Sequence, residues 1–272
     1  MDRIGFSSYC FPEATSIEEM LQFCLEHKFN AMELALSHGN SSPEKLKAST
    51  SALIKNSGRI SFSLHSPEDI NFSDPIAEKR ENSIGKVEDS ITLALKLGIR
   101  TVVVHPGRII GEVTPGKLNV TVEQNVSAIR RCALMAKKLG ITVSVENLCH
   151  QKGAVTPNIS SFLSMCKKIG LSNIGITLDT NHADLVDGIA QTVSIIGEYI
   201  DHIHFSSNKG KKSDHCEPDI GVIDFHQIEE FLKKFNGLTI IELKETGDES
   251  TGAILRSREY LLTKLSNGER RG

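Results

Sequence analysis

The stretch IGITLDTNH, residues 174–182, is apolar and β-branched for the length of one strand and then stops on Asp179, with His182 three residues further on. Five other runs end in the same manner: ISFSLHS (60–66) on His65, TVVVHPG (101–107) on His105, ITVSVEN (141–147) on Glu146, DHIHFSS (201–207) on His204 and LTIIELK (238–244) on Glu242. Repeated apolar runs that close on ligand-type side chains describe parallel strands whose carboxyl ends converge on one polar site. A core strand has no use for a charge at its end unless something there binds it.

Outward from these runs, strand-like segments alternate with segments of helical period, the pattern of a parallel sheet. Eight strands are expected, near residues 3–7, 31–36, 60–65, 101–105, 142–146, 175–179, 202–205 and 239–243. Between them, Ile84, Val87, Ile91 and Leu95 share one helix face, and Val122, Val126, Ile129 and Ala133 share another; such faces cover a sheet. Three helices close on related tetrads, Lys96-Leu97-Gly98-Ile99, Lys138-Leu139-Gly140-Ile141 and Lys168-Ile169-Gly170-Leu171, where a basic residue meets the helix C-terminus and glycine makes the left-handed turn. Eight strand-helix pairs in 272 residues predict an α/β fold, a closed (β/α)8 TIM barrel forming a single domain over residues 1–272, with a frayed polar tail over 266–272. The rival open sheet requires a glycine-rich loop after the first strand, and residues 7–12 read SSYCFP.

Lys plus Arg (31) nearly balances Asp plus Glu (34), so no global positive field draws in nucleic acid. The six cysteines (Cys10, Cys24, Cys132, Cys149, Cys166 and Cys216) form no CxxC pair, which points to reduced thiols. Asp2 and Arg3 open a start without a signal-peptide core, and no segment approaches the roughly 20 apolar residues of a membrane span. The expectation is a complete cytoplasmic protein with no membrane partner.

Taken alone, a histidine at a strand end is most often a hydrogen-bonded structural residue. The joint pattern reads differently. Buried carboxylates and imidazoles without partners would each cost several kcal/mol, and no matching Lys or Arg stands at the other strand ends. A divalent metal resolves the conflict, and mixed carboxylate and imidazole donors suit Zn, Mn, Co or Fe while the scattered thiols exclude a Cys-type structural zinc site. Glu146, Asp179, His204 and Glu242 can form one four-ligand site, leaving His65, His105, His182 and His215 as further ligands or substrate contacts.

The segments FSLHSP, VVVHPG, VSVENL, LDTNHA, HIHFSSNKG with its following DH and IGVIDF, and IIELKE resemble the xylose isomerase-like TIM-barrel superfamily, which joins sugar and sugar-phosphate isomerases and epimerases to endonuclease IV. The resemblance spans nearly the whole chain. In its epimerase branch it implies one divalent ion (Zn, Mn, Co or Mg) on Glu146, Asp179, His204 and Glu242, with His182 beside the substrate. Glu146 and Glu242 then also act as the catalytic pair, moving a proton through a metal-bound enediolate of a small sugar, sugar phosphate or polyol. In its endonuclease IV branch it implies up to three Zn ions, with His65, His105 and His215 as added ligands, acting on abasic-site DNA. That branch carries an Asp where this chain has Ser213, with Asp214 one residue later; Glu81 to Ile84 within KRENSI and the pair His65 and His105 are similar to it.

DNA handling separates the two branches. Flipping a nucleotide calls for aromatic wedges and basic loops, whereas this chain has no Trp and only three Tyr, and the loop over residues 37–43 has no charge apart from His38. The leading expectation is therefore an enzyme acting on a small sugar or sugar phosphate, with the phosphodiesterase as alternative and a non-catalytic metal- or sugar-binding barrel as the third. Lys209, Lys211 and Lys212, directly after the seventh strand, are read as a phosphate clamp, and Glu33 as a contact to substrate hydroxyls. Cys149-His150 lacks a partner to orient a thiol nucleophile, and Asp224 is expected to cap a helix.

Overall fold

Residues 3–149, 153–244 and 247–264 are described by the computed structural model. Asp2, His150 and the tail expected over 266–272 lie outside them. Eight strands, β1 Ile4–Ser7, β2 Ala31–Ala35, β3 Ser61–His65, β4 Thr101–Val104, β5 Thr142–Glu146, β6 Ile174–Asp179, β7 Ile200–Phe205 and β8 Leu238–Ile241, pair in sequence order. Every pairing is parallel, and β8 returns to β1 to close the barrel. The expected (β/α)8 architecture is the one observed. Among the described residues no helix is long and apolar enough to cross a membrane.

The helices are α1 Ile17–Glu26, α2 Pro43–Ala48, α3 Thr50–Asn56, α4 Ala77–Leu97, α5 Pro115–Lys138, α6 Ile159–Ile169, α7 Thr180–Val186, α8 Ile189–Ile196, α9 Glu229–Lys234 and α10 Ser250–Glu259. In α4, Ile84, Val87 and Ile91 are buried as their spacing predicts, but Leu95 is 44% exposed. The buried arc is centred on Val87 and Ala94, and Leu95 falls on its solvent edge. Gly98 and Gly170 end α4 and α6 at positive φ (72° and 66°), as expected of left-handed caps.

Strand alternation sends large apolar side chains outward against the helices and small or polar ones into the barrel. In β2, Met32 and Leu34 join the main core under the helices, whereas Ala31 belongs to a separate small cluster with Leu238 and Ile240. Much of the remaining interior is polar. Ser144 Oγ donates to Asp201 Oδ1 at 2.6 Å, Thr177 Oγ1 bonds Ser144 at 2.8 Å, and Ser63 Oγ donates to Glu33 Oε2 at 3.0 Å. A register shift between β6 and β7 at Ile176/Thr177 turns Asp201 toward Gly175, where a Cβ would stand 2.2 Å from the carboxylate. Glycine at 175 is thus what admits the bulge.

Candidate metal centre and active site

All the strand-end residues singled out from sequence meet at the carboxyl mouth of the barrel. Glu146 is the hub: its Oε2 lies 3.2 Å from His65 Nε2, 3.2 Å from His105 Nε2 and 3.4 Å from His204 Nδ1, and its Oε1 lies 3.4 Å from His182 Nδ1. Glu242 Oε2 lies 3.3 Å from His204 Nδ1 and 3.5 Å from His215 Nδ1. Asp179 Oδ1 lies 3.5 Å from His182 Nδ1, and Oδ2 lies 3.9 Å from His215 Nδ1. Glu146, Asp179, His204 and Glu242 each offer a donor atom, and these four atoms all fall within 4.8 Å of one another.

Local structure explains the DTNH spacing. Asp179 is the last residue of β6 and the N-cap of α7, so its Oδ1 accepts the backbone N–H of His182 at 2.7 Å. One carboxylate oxygen is thereby committed to starting the helix. The other, Oδ2, is buried without a hydrogen bond and faces the site. Asn147, which sequence reasoning passed over, holds the strand ends in register: its Oδ1 accepts from Asp179 N (2.9 Å) and its Nδ2 donates to Asp179 O (3.1 Å). Among the described residues His215 is one of two non-glycine residues with positive φ (41°), a strained backbone held by the 216–207 bridge and by Lys244 N donating to its carbonyl at 3.0 Å.

The imidazoles test whether these residues fit a cation. His65 Nδ1 contacts the Ser66 carbonyl at 2.8 Å and must carry a proton there, which leaves Nε2 facing the Glu146 carboxylate. Neither ring nitrogen of His204 makes a hydrogen bond: Nε2 stands 3.0 Å from Glu33 Oε1 as an ion pair, and Nδ1 faces both Glu146 and Glu242. A bare lone pair cannot face a carboxylate in a buried site; a second proton or a metal ion has to stand between them. The field favours positive charge throughout. Burial works against the charged imidazole of His65, yet its bond and attraction to Glu146 raise the pKa to about 9. His182 and His204 are raised well above the ordinary value despite burial, by Asp179 and by Glu242 with Glu33 respectively. Burial pushes Glu242 up, but His204 and His215 bring it down to about 2, whereas for Asp179 burial prevails and the pKa rises.

Donor spacing agrees. Two ligands about 2.0–2.1 Å from a tetrahedral ion stand about 3.3 Å apart, and within the four-ligand set the His204–Glu146 and His204–Glu242 pairs lie at 3.4 and 3.3 Å. The residues present fit a divalent cation.

Beside this cluster lies a cavity of about 420 Å³ lined by Tyr9, Arg108, the loop over 153–156, Ser213 and the site residues His65, His105, Glu146, His182, His215 and Glu242. Asp179 and His204 are fully buried behind it and do not line it. Three features read from sequence lie away from this cavity. Glu33, read as a contact to substrate hydroxyls, is completely buried below the mouth, against Ser63, His202 and His204, and does not line the cavity. Lys209, Lys211 and Lys212 are exposed and stand outside the cavity lining, whose Lys or Arg is Arg108. Asp214, one residue after Ser213, turns its Oδ1 to Lys209 N at 3.2 Å, while Ser213 Oγ accepts from Asn181 Nδ2 at 3.2 Å. Asp224 caps as expected, accepting from His226 N at 3.2 Å.

A family model described as xylose isomerase-like TIM barrel matches residues 21–264. An uncharacterized protein of Methanocaldococcus jannaschii is 28% identical over 267 residues, covering 95% of this chain and 88% of its own. Among solved structures, a D-tagatose 3-epimerase-like protein aligns with a TM-score of 0.83 and 25% identity over 98% of this chain and 99% of its own. The IOLI protein, solved with a binding zinc atom, aligns with a TM-score of 0.80 and 15% identity over 99% of this chain and the whole of its own.

Proposed function

As the chain belongs to the xylose isomerase-like TIM barrel family, we propose that it is a divalent-metal-dependent isomerase or epimerase of a small sugar, sugar phosphate or polyol. One observation carries the reading: within the four-ligand set, Glu146 and Glu242 line the cavity while Asp179 and His204 are shut away from it. Two residues thus serve only to hold the ion, and two also reach the substrate. The similarity to a D-tagatose 3-epimerase-like protein supports the substrate class, and the zinc atom in the IOLI protein accords with the donor set.

When bound, the ion polarises a carbonyl and its neighbouring hydroxyl and so acidifies the hydrogen on the carbon between them. Glu146 and Glu242 approach from β5 and β8, on different sides of the mouth. One takes the proton from one face of the substrate and the other returns it to the opposite face. Epimerisation and isomerisation differ only in the atom that receives it. His182, with Nδ1 turned to the Asn147 carbonyl at 3.1 Å, is fixed beside the substrate.

The second reading, a zinc phosphodiesterase acting on abasic-site DNA, draws on the further trios His65, His105, Glu146 and Asp179, His182, His215. Ser213, standing where that branch carries an Asp, leaves it one ligand short. Metal counting and isotope exchange distinguish the readings. The expected result is one ion per chain and incorporation of deuterium from heavy water at the carbon beside the carbonyl of a ketose, reduced about 100-fold or more in Glu146→Gln and Glu242→Gln with metal retained. Three zinc ions together with nicking of abasic duplex, or Gln variants that exchange at the wild-type rate, would overturn it.

A further inference from the structure

Below the mouth, Glu33, His202 and His204 form a second cluster, and all three are completely buried. None lines the cavity. Glu33 Oε2 is fixed by His202 Nε2 at 2.9 Å and by the Ser63 hydroxyl at 3.0 Å, which leaves Oε1 for His204 Nε2 at 3.0 Å. That last contact is close but off the line of a well-formed hydrogen bond.

The bonds already made hold Glu33 without an ion of its own: Oε2 takes both His202 Nε2 and the Ser63 hydroxyl. Glu33 Oε1 and His204 Nε2 stand 3.0 Å apart as an ion pair. The arrangement has a direction: β2 supplies Glu33, the neighbouring β3 supplies Ser63, and β7, across the barrel, supplies both rings at positions two apart on its inner face.

We infer that Glu33 is a positioning residue: its Oε1, 3.0 Å from His204 Nε2, holds the ring proton on that nitrogen by charge and so fixes the tautomer in which Nδ1 addresses Glu146 and Glu242, while His202 and Ser63 hold Glu33 in place. A neutral imidazole carries one proton, so securing it at Nε2 leaves the lone pair at Nδ1, where the four-ligand set converges. A carboxylate behind a ligating imidazole also makes the ring a better donor. The inference rests on the metal reading given above, and its test keeps the two apart.

Cobalt(II) titration followed by its visible absorption measures both affinity and ligand geometry. Glu33→Gln keeps the shape of the side chain and removes the charge; the expected result is a roughly 10–100-fold weaker cobalt affinity and an altered visible band. Ser63→Ala removes a single hydroxyl from the support of Glu33 and is expected to loosen cobalt binding by a few-fold, which serves if Glu33→Gln fails to fold. Ser144→Ala, in the interior hydrogen bonds with Asp201 and Thr177, provides a comparison in which thermal stability falls but affinity and band do not change. Wild-type affinity and an unchanged band in Glu33→Gln, or in Ser63→Ala when only that variant folds, overturn the positioning role. A wild-type protein that takes up no cobalt, zinc or manganese overturns the metal reading itself, a result distinct from the first.

Discussion

Arg108 borders the cavity where the basic cluster after β7 does not. Its backbone N–H donates to Asn71 Oδ1 at 2.8 Å, which pins the residue to the β3–α4 loop beside the cavity. For a phosphorylated substrate, a charge-assisted bond of about 1.5–3 kcal/mol corresponds to a KM raised about 10–100-fold in Arg108→Ala, with kcat retained. Steady-state kinetics on a phosphorylated and an unphosphorylated sugar check this, and a KM effect in Lys211→Ala instead would restore the lysine clamp. The sequence could not make that choice, because loop residues carry no periodicity to say which way they face. Glu33 was different: in residues 31–36, AMELAL, large apolar side chains alternate with small or polar ones, so strand parity already directs Glu33 inward. His202, two residues before His204, was legible by the same parity.

Among the elements, the strands were read nearly to their ends, because a buried parallel strand is a continuous apolar run and the ligand residues mark where it stops. The second unit was less legible: its helical part is split at Ser49 into α2 and α3, each too short to show a full apolar stripe. The loops that build the cavity were not legible at all. The β4–α5 loop pairs with the segment after β5 through Ile109 N donating to Gly153 O at 2.7 Å and an antiparallel bridge between Arg108 and Ala154. Gly153 has φ 95°, and a Cβ there would meet the Ile109 carbonyl oxygen at 2.2 Å, so only glycine permits the two loops to join. Gly153→Ala should therefore separate the walls: a strain of about 1–3 kcal/mol lowers Tm by a few degrees, and KM rises while metal content stays at the wild-type level. Unchanged KM would show that this bridge does not shape the substrate site.

Over the whole molecule, the mouth concentrates buried charge that protons or a metal ion must balance, and the two alternatives respond oppositely to pH. In chelator-stripped protein, Glu242, lowered to about 2, contributes stability that is present above its unfolded value near 4.5 and lost as pH falls toward 2. His65, raised to about 9, contributes stability that is full below about 6.5 and lost as pH rises through 9. Asp179, raised by burial, opposes this from the acid side. Stripped protein is therefore expected to be most stable between about pH 4.5 and 6.5 and to weaken from 6.5 to 9. A divalent ion competes with protons for the same imidazoles, so its affinity rises over that interval. At a thousandfold excess over Kd it adds about 4 kcal/mol, which is roughly 10 °C in Tm at about 2–4 °C per kcal/mol. Thermal melts of stripped and zinc- or manganese-loaded protein from pH 6 to 9 should show a gap that widens with pH. A gap that is constant or narrows would mean that the imidazoles at the mouth do not exchange protons for metal, and that the ion, if bound, is held elsewhere.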